Sequence, residues 1–155
     1  LGFEKISFSY SSWRSVDNPT AAVSILGTSG VQSIINYKKD FLGRYFAYCH
    51  RSGERLEKVS DAIKNVVNLG AGEVILQSID RDGSRIGLDL GVLDQIDDQL
   101  SIPIVIAGGL RTHDEGIDVL TDKRISGVAS GTCFTFSSGR QGVLPSYPPD
   151  NLRGL

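Results

Sequence analysis

Hydrophobic and polar positions along this chain switch repeatedly between a period of two, the signature of strands, and the roughly 3.6-residue period of helices. Residues 4 to 10 set Ile6, Phe8 and Tyr10 against Lys5, Ser7 and Ser9, which predicts a strand with two unlike faces. In "SVDNPTAAVSIL", Asn18 reads as a helix N-cap and Pro19 as the first helical residue, with apolar positions at helical spacing behind them. "VQSIINYK" predicts the next strand. "DFLGRYFAYCHRSGER", with Gly43 and Gly53 flanking an aromatic run, predicts a hairpin excursion on top of the sheet. "LEKVSDAIKNVVNLGAG" places Leu56, Val59, Ile63, Val66 and Val67 on one helical face and stops at Gly70.

The unit then repeats. In "EVILQSIDRDGSRIG", residues 73–87, the apolar run through Val74, Ile75, Leu76 and Ile79 predicts a strand covered on both faces, and it ends at a rim of Asp80, Arg81, Asp82 and Gly83. Asp89 is placed to cap a helix in "LGVLDQIDDQL", and "IPIVIAGG" is a continuous apolar strand. "THDEGIDVL" opens with a capping box of Thr112 and Glu115, and "ISGVASG" is a short last strand. Strands alternating with helices imply right-handed βαβ units, hence an α/β fold with about five parallel strands. A complete eight-stranded barrel needs about 250 residues, so a chain of this length supplies a little over half of one. The expected organisation is a single half-barrel domain. Residues 1–52 hold strand, helix, strand and hairpin, 53–136 three further βα units, and 137–155 an irregular tail.

Bulk properties narrow the function classes. The 155 residues are 40% hydrophobic and 22% charged with a formal net charge of -2, so neither disorder nor a basic nucleic-acid or membrane footprint is expected. Cys49 and Cys133 are the two cysteines, and neither lies in a metal-ligand spacing, which suits a reducing cytoplasm. No stretch approaches the roughly 18 apolar residues of a membrane span, and no signal-peptide pattern opens the chain. The first residue already lies inside a strand-like alternation and no Met occurs anywhere, so the sequence reads as part of something longer.

Candidate chemistry gathers at the strand ends. Three successive strands finish in glycine or a tight turn: "IDRDG" with Gly83, "IAGG" with Gly108 and Gly109, and "ASGT" with Gly131 before Thr132. Ligands of parallel α/β folds bind at these carboxyl ends, and missing Cβ atoms let backbone N–H groups approach an oxyanion. After Gly131, "TCFTF" has the place of the short extra helix that completes many phosphate sites. Each feature has a plainer reading: a GG or DG after a strand is commonly only a turn. Asp80 and Asp82 either orient the turn and pair with Arg81 or Arg85, or Asp82 binds a ligand hydroxyl. His50 and His113 read as surface residues, Lys38 and Lys39 as solvated, and Cys133 as a small buried hydrophobe.

These segments resemble the cyclase subunit of imidazole glycerol phosphate synthase. "NLGAGEVILQSIDRDGSRIGLDL" is similar to that family's sixth strand and loop, "SIPIVIAGG" to its seventh strand and "FEKIS" to its fourth, so the likeness spans nearly the whole chain but only the family's second half. Ser78 stands where the sister isomerase family usually carries an Asp. The tail "SGTCFTFSSGRQGVLPSYP" is similar to a cyclase-like subgroup associated with sugar amidation in surface polysaccharide synthesis. The resemblance implies the C-terminal half of a (βα)8 TIM barrel that uses ammonia from a docked glutaminase on a phosphorylated substrate, with no cofactor and no metal.

Carried over by position, Asp82, Gly83, Gly108, Gly109, Gly131 and Thr132 are the expected phosphate-binding residues, and Lys5 and Glu73 the expected ammonia gate, whose alternative is a plain stabilising ion pair. Glu4 falls where the family places a glutaminase-facing acid. Asn36 stands at the position of the family's proton-transferring aspartate, and an amide does not exchange protons near neutral pH, so catalysis is expected to be impaired. Ala107 replaces a serine and Arg111 a small residue, and the strand with the other catalytic aspartate is outside the chain. The expectation is a lyase-type cyclase component, inactive as this chain alone. The alternative is a non-catalytic phosphate-binding half-barrel that self-associates through exposed sheet edges. An unrelated nucleotide-binding domain ranks last, because no GxGxxG or P-loop follows the first strand.

Overall fold

The computed structural model describes residues 3–15, 17–97 and 100–135. Strand β1 (Ile6–Ser9) runs directly into a short helix α1 (Tyr10–Arg14), followed by α2 (Asp17–Leu26) and the long strand β2 (Val31–Lys39). A hairpin of β3 (Tyr45–Tyr48) and β4 (Arg55–Lys58) leads to α3 (Val59–Asn68) and β5 (Glu73–Ser78). A 3-10 helix (Leu90–Gln95), β6 (Ile104–Ala107), α4 (His113–Val119), β7 (Gly127–Ala129) and α5 (Thr132–Thr135) complete the order. The expected tail, 137–155, lies outside the described residues.

Five strands, β1, β2, β5, β6 and β7, pair in parallel and in chain order, as the alternation of periods predicts. The hairpin adds two antiparallel strands to the same sheet, through pairing of β2 with β3. β2 is long enough to serve both neighbours on one edge: Val31 to Ile34 pair with β1, and Tyr37 to Lys39 pair with β3.

Parity along the strands sorts the side chains into two layers. Val31, Ile35 and Tyr37 of β2, Val74 and Leu76 of β5, and Ile104 and Ile106 of β6 are at most 2% exposed, and they pack with Val59, Ile63 and Val66 of α3 in one core. Opposite parity gives the concave face, where Ile34, Ile75 and Val105 share one cross-strand row and remain half-buried. The expectation that 73–79 is covered on both faces is therefore corrected. β5 alternates half-buried and buried along its length, because the helices pack on one side of the sheet.

Four local expectations also change. The strand ends at Ser9, and Tyr10 begins α1, whose Tyr10 and Trp13 are each 1% exposed and plug into the core. Phe8 meets Trp13 edge to face, with centroids 6.3 Å apart. Helix α2 already includes Asp17, so Asn18 is helical rather than the cap, and Pro19 sits in the first turn, where its missing N–H has no intrahelical acceptor to lose. Leu56 belongs to β4, not to the apolar stripe of α3. Asp89 makes no side-chain cap, because its carboxylate accepts the Tyr45 hydroxyl at 3.1 Å, and the segment it precedes is 3-10 rather than α.

Candidate functional site

The carboxyl tips of β5, β6 and β7 surround one cavity of about 280 Å3. That volume is near the lower end of the roughly 300–1,000 Å3 of small-molecule pockets, suiting a small group rather than a dinucleotide. Ile34 and Ile75 of the half-buried sheet face line it together with Gly108, Gly109, Gly131 and Thr132 of the strand tips and Asp82 and Arg85 of the loop after β5. Gly83 belongs to the same turn as Asp82 but does not line the cavity. Gln77, on the concave face of β5, donates its amide to Asp82 Oδ2 at 3.2 Å, holding that carboxylate at the opening. Asp80 is drawn away instead, to Lys38 at 3.6 Å.

The glycines differ in what they are for. A Cβ on Gly108 would lie 2.6 Å from the Ser78 carbonyl oxygen, and one on Gly109 would lie 2.5 Å from that of Gly87. Close packing of neighbouring turns thus accounts for both. A Cβ on Gly131 would meet nothing within 4 Å among the described residues, and its φ is outside the left-handed region, so none of those residues explains the missing side chain. Gly131 is one of the residues that line the cavity.

Two crosslinks fix the rim. Arg81 donates to the carbonyls of Gly87 and Leu88 at 3.0 Å each and lies 4.0 Å from Asp89, closing the loop after β5 on itself rather than pairing with Asp80 or Asp82. Thr112 caps α4 by accepting the Glu115 N–H, but Glu115 does not return the bond in capping-box fashion. Its carboxylate accepts the N–H of Arg111 at 2.7 Å and of Leu88 at 3.1 Å, joining the loops after β6 and β5. Burial opposes ionisation of Glu115, yet these N–H donors outweigh it and hold its carboxyl below the usual glutamate value.

Residues 2–139 match the sequence profile described as "Histidine biosynthesis protein". The chain belongs to this family. It is 35% identical over 153 residues to a Leptospira borgpetersenii protein and 31% identical over 153 residues to one from Leptospira interrogans, both provisionally named imidazole glycerol phosphate synthase subunit HisF. An Alkaliphilus metalliredigens protein, named imidazole glycerol phosphate synthase subunit HisF, is 28% identical over 138 residues. The alignments cover 96%, 96% and 88% of this chain but 59%, 59% and 54% of those proteins, so the chain spans little more than half the length of the relatives it matches. The family's fold is the (βα)8 barrel, and the parallel sheet with helices on one face is part of one.

In this member of the family the amino ends of the strands carry a separate polar group. Lys5 pairs with Glu73, and beside them Gln32 donates to Ser7 Oγ, all at the end of the sheet opposite the cavity. Asn36, 8% exposed, occupies one cross-strand row with Gln77, Ala107 and Ala129, so it belongs to the layer directly below the strand tips. It does not itself line the cavity. His113 is not the surface residue expected: its ring stacks on Phe134, with centroids 5.1 Å apart. Cys133 is buried at 4% exposure, and among the described residues no group of His, Cys, Asp and Glu is placed to hold a metal. No described helix is long and apolar enough to cross a membrane.

Gln77 and Gln32 escaped the sequence reading, and Arg85 entered it only as a possible partner of Asp80 or Asp82, not as a cavity residue. Gln77 left a trace, as a polar residue interrupting an apolar run at the parity of Glu73 and Ile75. The place of Arg85 at the cavity left none, because it depends on how the turn coils.

Proposed function

We propose that this chain is the phosphate-holding half of a cyclase-type component that brings ammonia to a phosphorylated small molecule. The reading is carried by one observation: the tips after β5, β6 and β7 meet around a single cavity, while the Lys5–Glu73 pair lies at the opposite end of the same sheet. In this reading the backbone N–H groups around Gly108, Gly109, Gly131 and Thr132 hold phosphate oxygens, which charged acceptors make stronger than neutral ones. Asp82, held by Gln77, takes a substrate hydroxyl, and Gly83 gives the turn its shape. Lys5 and Glu73 form the gate by which ammonia from a glutaminase, docked at the amino ends of the strands, enters the barrel. Asn36 offers hydrogen bonds but no proton transfer near neutral pH, so ring closure depends on groups outside this chain. Sugar amidation is the finer assignment that the tail's resemblance supports.

Titration with inorganic phosphate and glycerol 3-phosphate, followed through backbone amide resonances, tests the cavity. Saturable shifts centred on Gly109 and Gly131 are expected, and shifts centred elsewhere reject it. Size-exclusion chromatography with a glutaminase subunit tests the ammonia arm, which a failure to co-elute counts against. Asn36→Asp in a full-length barrel is expected to raise an ammonia-dependent cyclase rate, because a positioned proton-transfer group contributes about a hundredfold to ten-thousandfold.

A second reading is a non-catalytic phosphate-binding half-barrel that self-associates. It is favoured by the half-buried row of Ile34, Ile75 and Val105 on the concave face. Sedimentation showing a monomer across a wide concentration range removes it.

A further inference from the structure

Resting on the phosphate reading of the cavity, we infer that Arg85 is its charge-selecting residue, the cation that makes it prefer a phosphate monoester over an uncharged group. Three features of the molecule converge on this residue. First, Arg85 has φ 56, and it is the one non-glycine with positive φ among the described residues. Left-handed backbone is uphill for any side chain with a Cβ, and Gly83 and Gly87, on either side, show that glycine serves elsewhere in this loop. An arginine kept where glycine is easier is the pattern of strain held at a functional site.

Second, the guanidinium is uncommitted. Arg81, Arg111 and Arg124 each have a carboxylate partner, whereas Arg85 has none among the described residues. Its one hydrogen bond there is a long one, 3.4 Å from Nη2 to the Arg111 carbonyl, which leaves most of its five N–H donors for a guest. Third, the cavity needs a cation: Asp82 contributes a lining carboxylate that repels any anion, and among the described residues Arg85 is the only basic side chain lining it. A guanidinium fork and a phosphate are matched in geometry as well as charge.

The test titrates inorganic phosphate, glycerol 3-phosphate and glycerol into the chain and into Arg85→Gln, Arg85→Lys and Arg85→Gly by calorimetry, with thermal unfolding of each protein. The wild type is expected to bind both anions and not glycerol. Arg85→Gln should weaken glycerol 3-phosphate binding about ten- to a hundredfold, the worth of one or two charge-assisted hydrogen bonds. Arg85→Lys should recover part of that loss, and Arg85→Gly should lose affinity while unfolding no earlier than wild type. Equal affinity in wild type and Arg85→Gln overturns the role of Arg85 and leaves the phosphate site standing. No anion binding by wild type overturns the site and the inference together. A lower Tm of Arg85→Gly would mark the residue as structural and also overturn the inference.

Discussion

Replacing Gly109 with alanine should damage the fold, and replacing Gly131 with alanine should not. At Gly109 φ is +96, a conformation that costs a residue with a Cβ about 1–2 kcal/mol. The new Cβ would also lie 2.5 Å from the Gly87 carbonyl oxygen and 2.8 Å from the Arg81 Cβ, neither of them the far end of a flexible side chain. Forced overpacking of this kind typically costs about 1–3 kcal/mol. The sum, about 2–5 kcal/mol, is a large share of the roughly 5–15 kcal/mol that stabilises a typical domain. At Gly131 a Cβ has no heavy atom of the described residues within 4 Å and φ is not left-handed, so the described fold is untouched. The unfolded state loses freedom there, leaving stability unchanged or raised by up to about 1 kcal/mol. Urea unfolding followed by circular dichroism measures both differences. A Gly109→Ala cost under about 1 kcal/mol, or a Gly131→Ala cost above about 1 kcal/mol, refutes the division between a packing glycine and a ligand-facing one. On the proposed phosphate reading, Gly131→Ala should still weaken phosphate binding, because Gly131 lines the cavity.

Glu115→Gln should cost about 1.5–3 kcal/mol at pH 7, because it removes the charge from two inter-loop hydrogen bonds. Its folded carboxyl is held below the ordinary value, so this stability is present above the unfolded pKa of about 4.3 and fades as pH falls through the folded value. Urea midpoints of wild type and variant should therefore converge as the pH falls through the folded value, and a constant gap rejects the assignment. Glu73→Gln should change stability by less than about 1 kcal/mol, since its partner Lys5 has a side chain 45% exposed; a larger loss makes the pair structural rather than a gate. Hydrogen bonds from the side chain and backbone of Ser52, with further help from Arg51, pull the Cys49 thiol down to about 7. Iodoacetamide labelling of Cys49 should rise steeply through neutral pH while buried Cys133 lags, and matching profiles for the two thiols contradict the geometry.

Sequence alone determined the sequence of elements and the chemistry of the strand ends. Period-two and helical runs have different spacings, and turn residues announce themselves by type, so the βα alternation and the glycine-bearing tips were legible in "IDRDG", "IAGG" and "ASGT". Tertiary structure decided everything that depends on register between strands distant in the chain. Only pairing places Asn36, Gln77, Ala107 and Ala129 in one row, brings Lys5 to Glu73, and leaves the concave face half-open where continuous apolar runs read as fully covered. Helix α1 was invisible because five residues are too few to show a period. Asp89 was read as a cap because its local neighbourhood is that of a cap, and Tyr45, 44 residues away, took its carboxylate instead. A local pattern fixes which groups a turn can offer, but long-range packing assigns each group its partner.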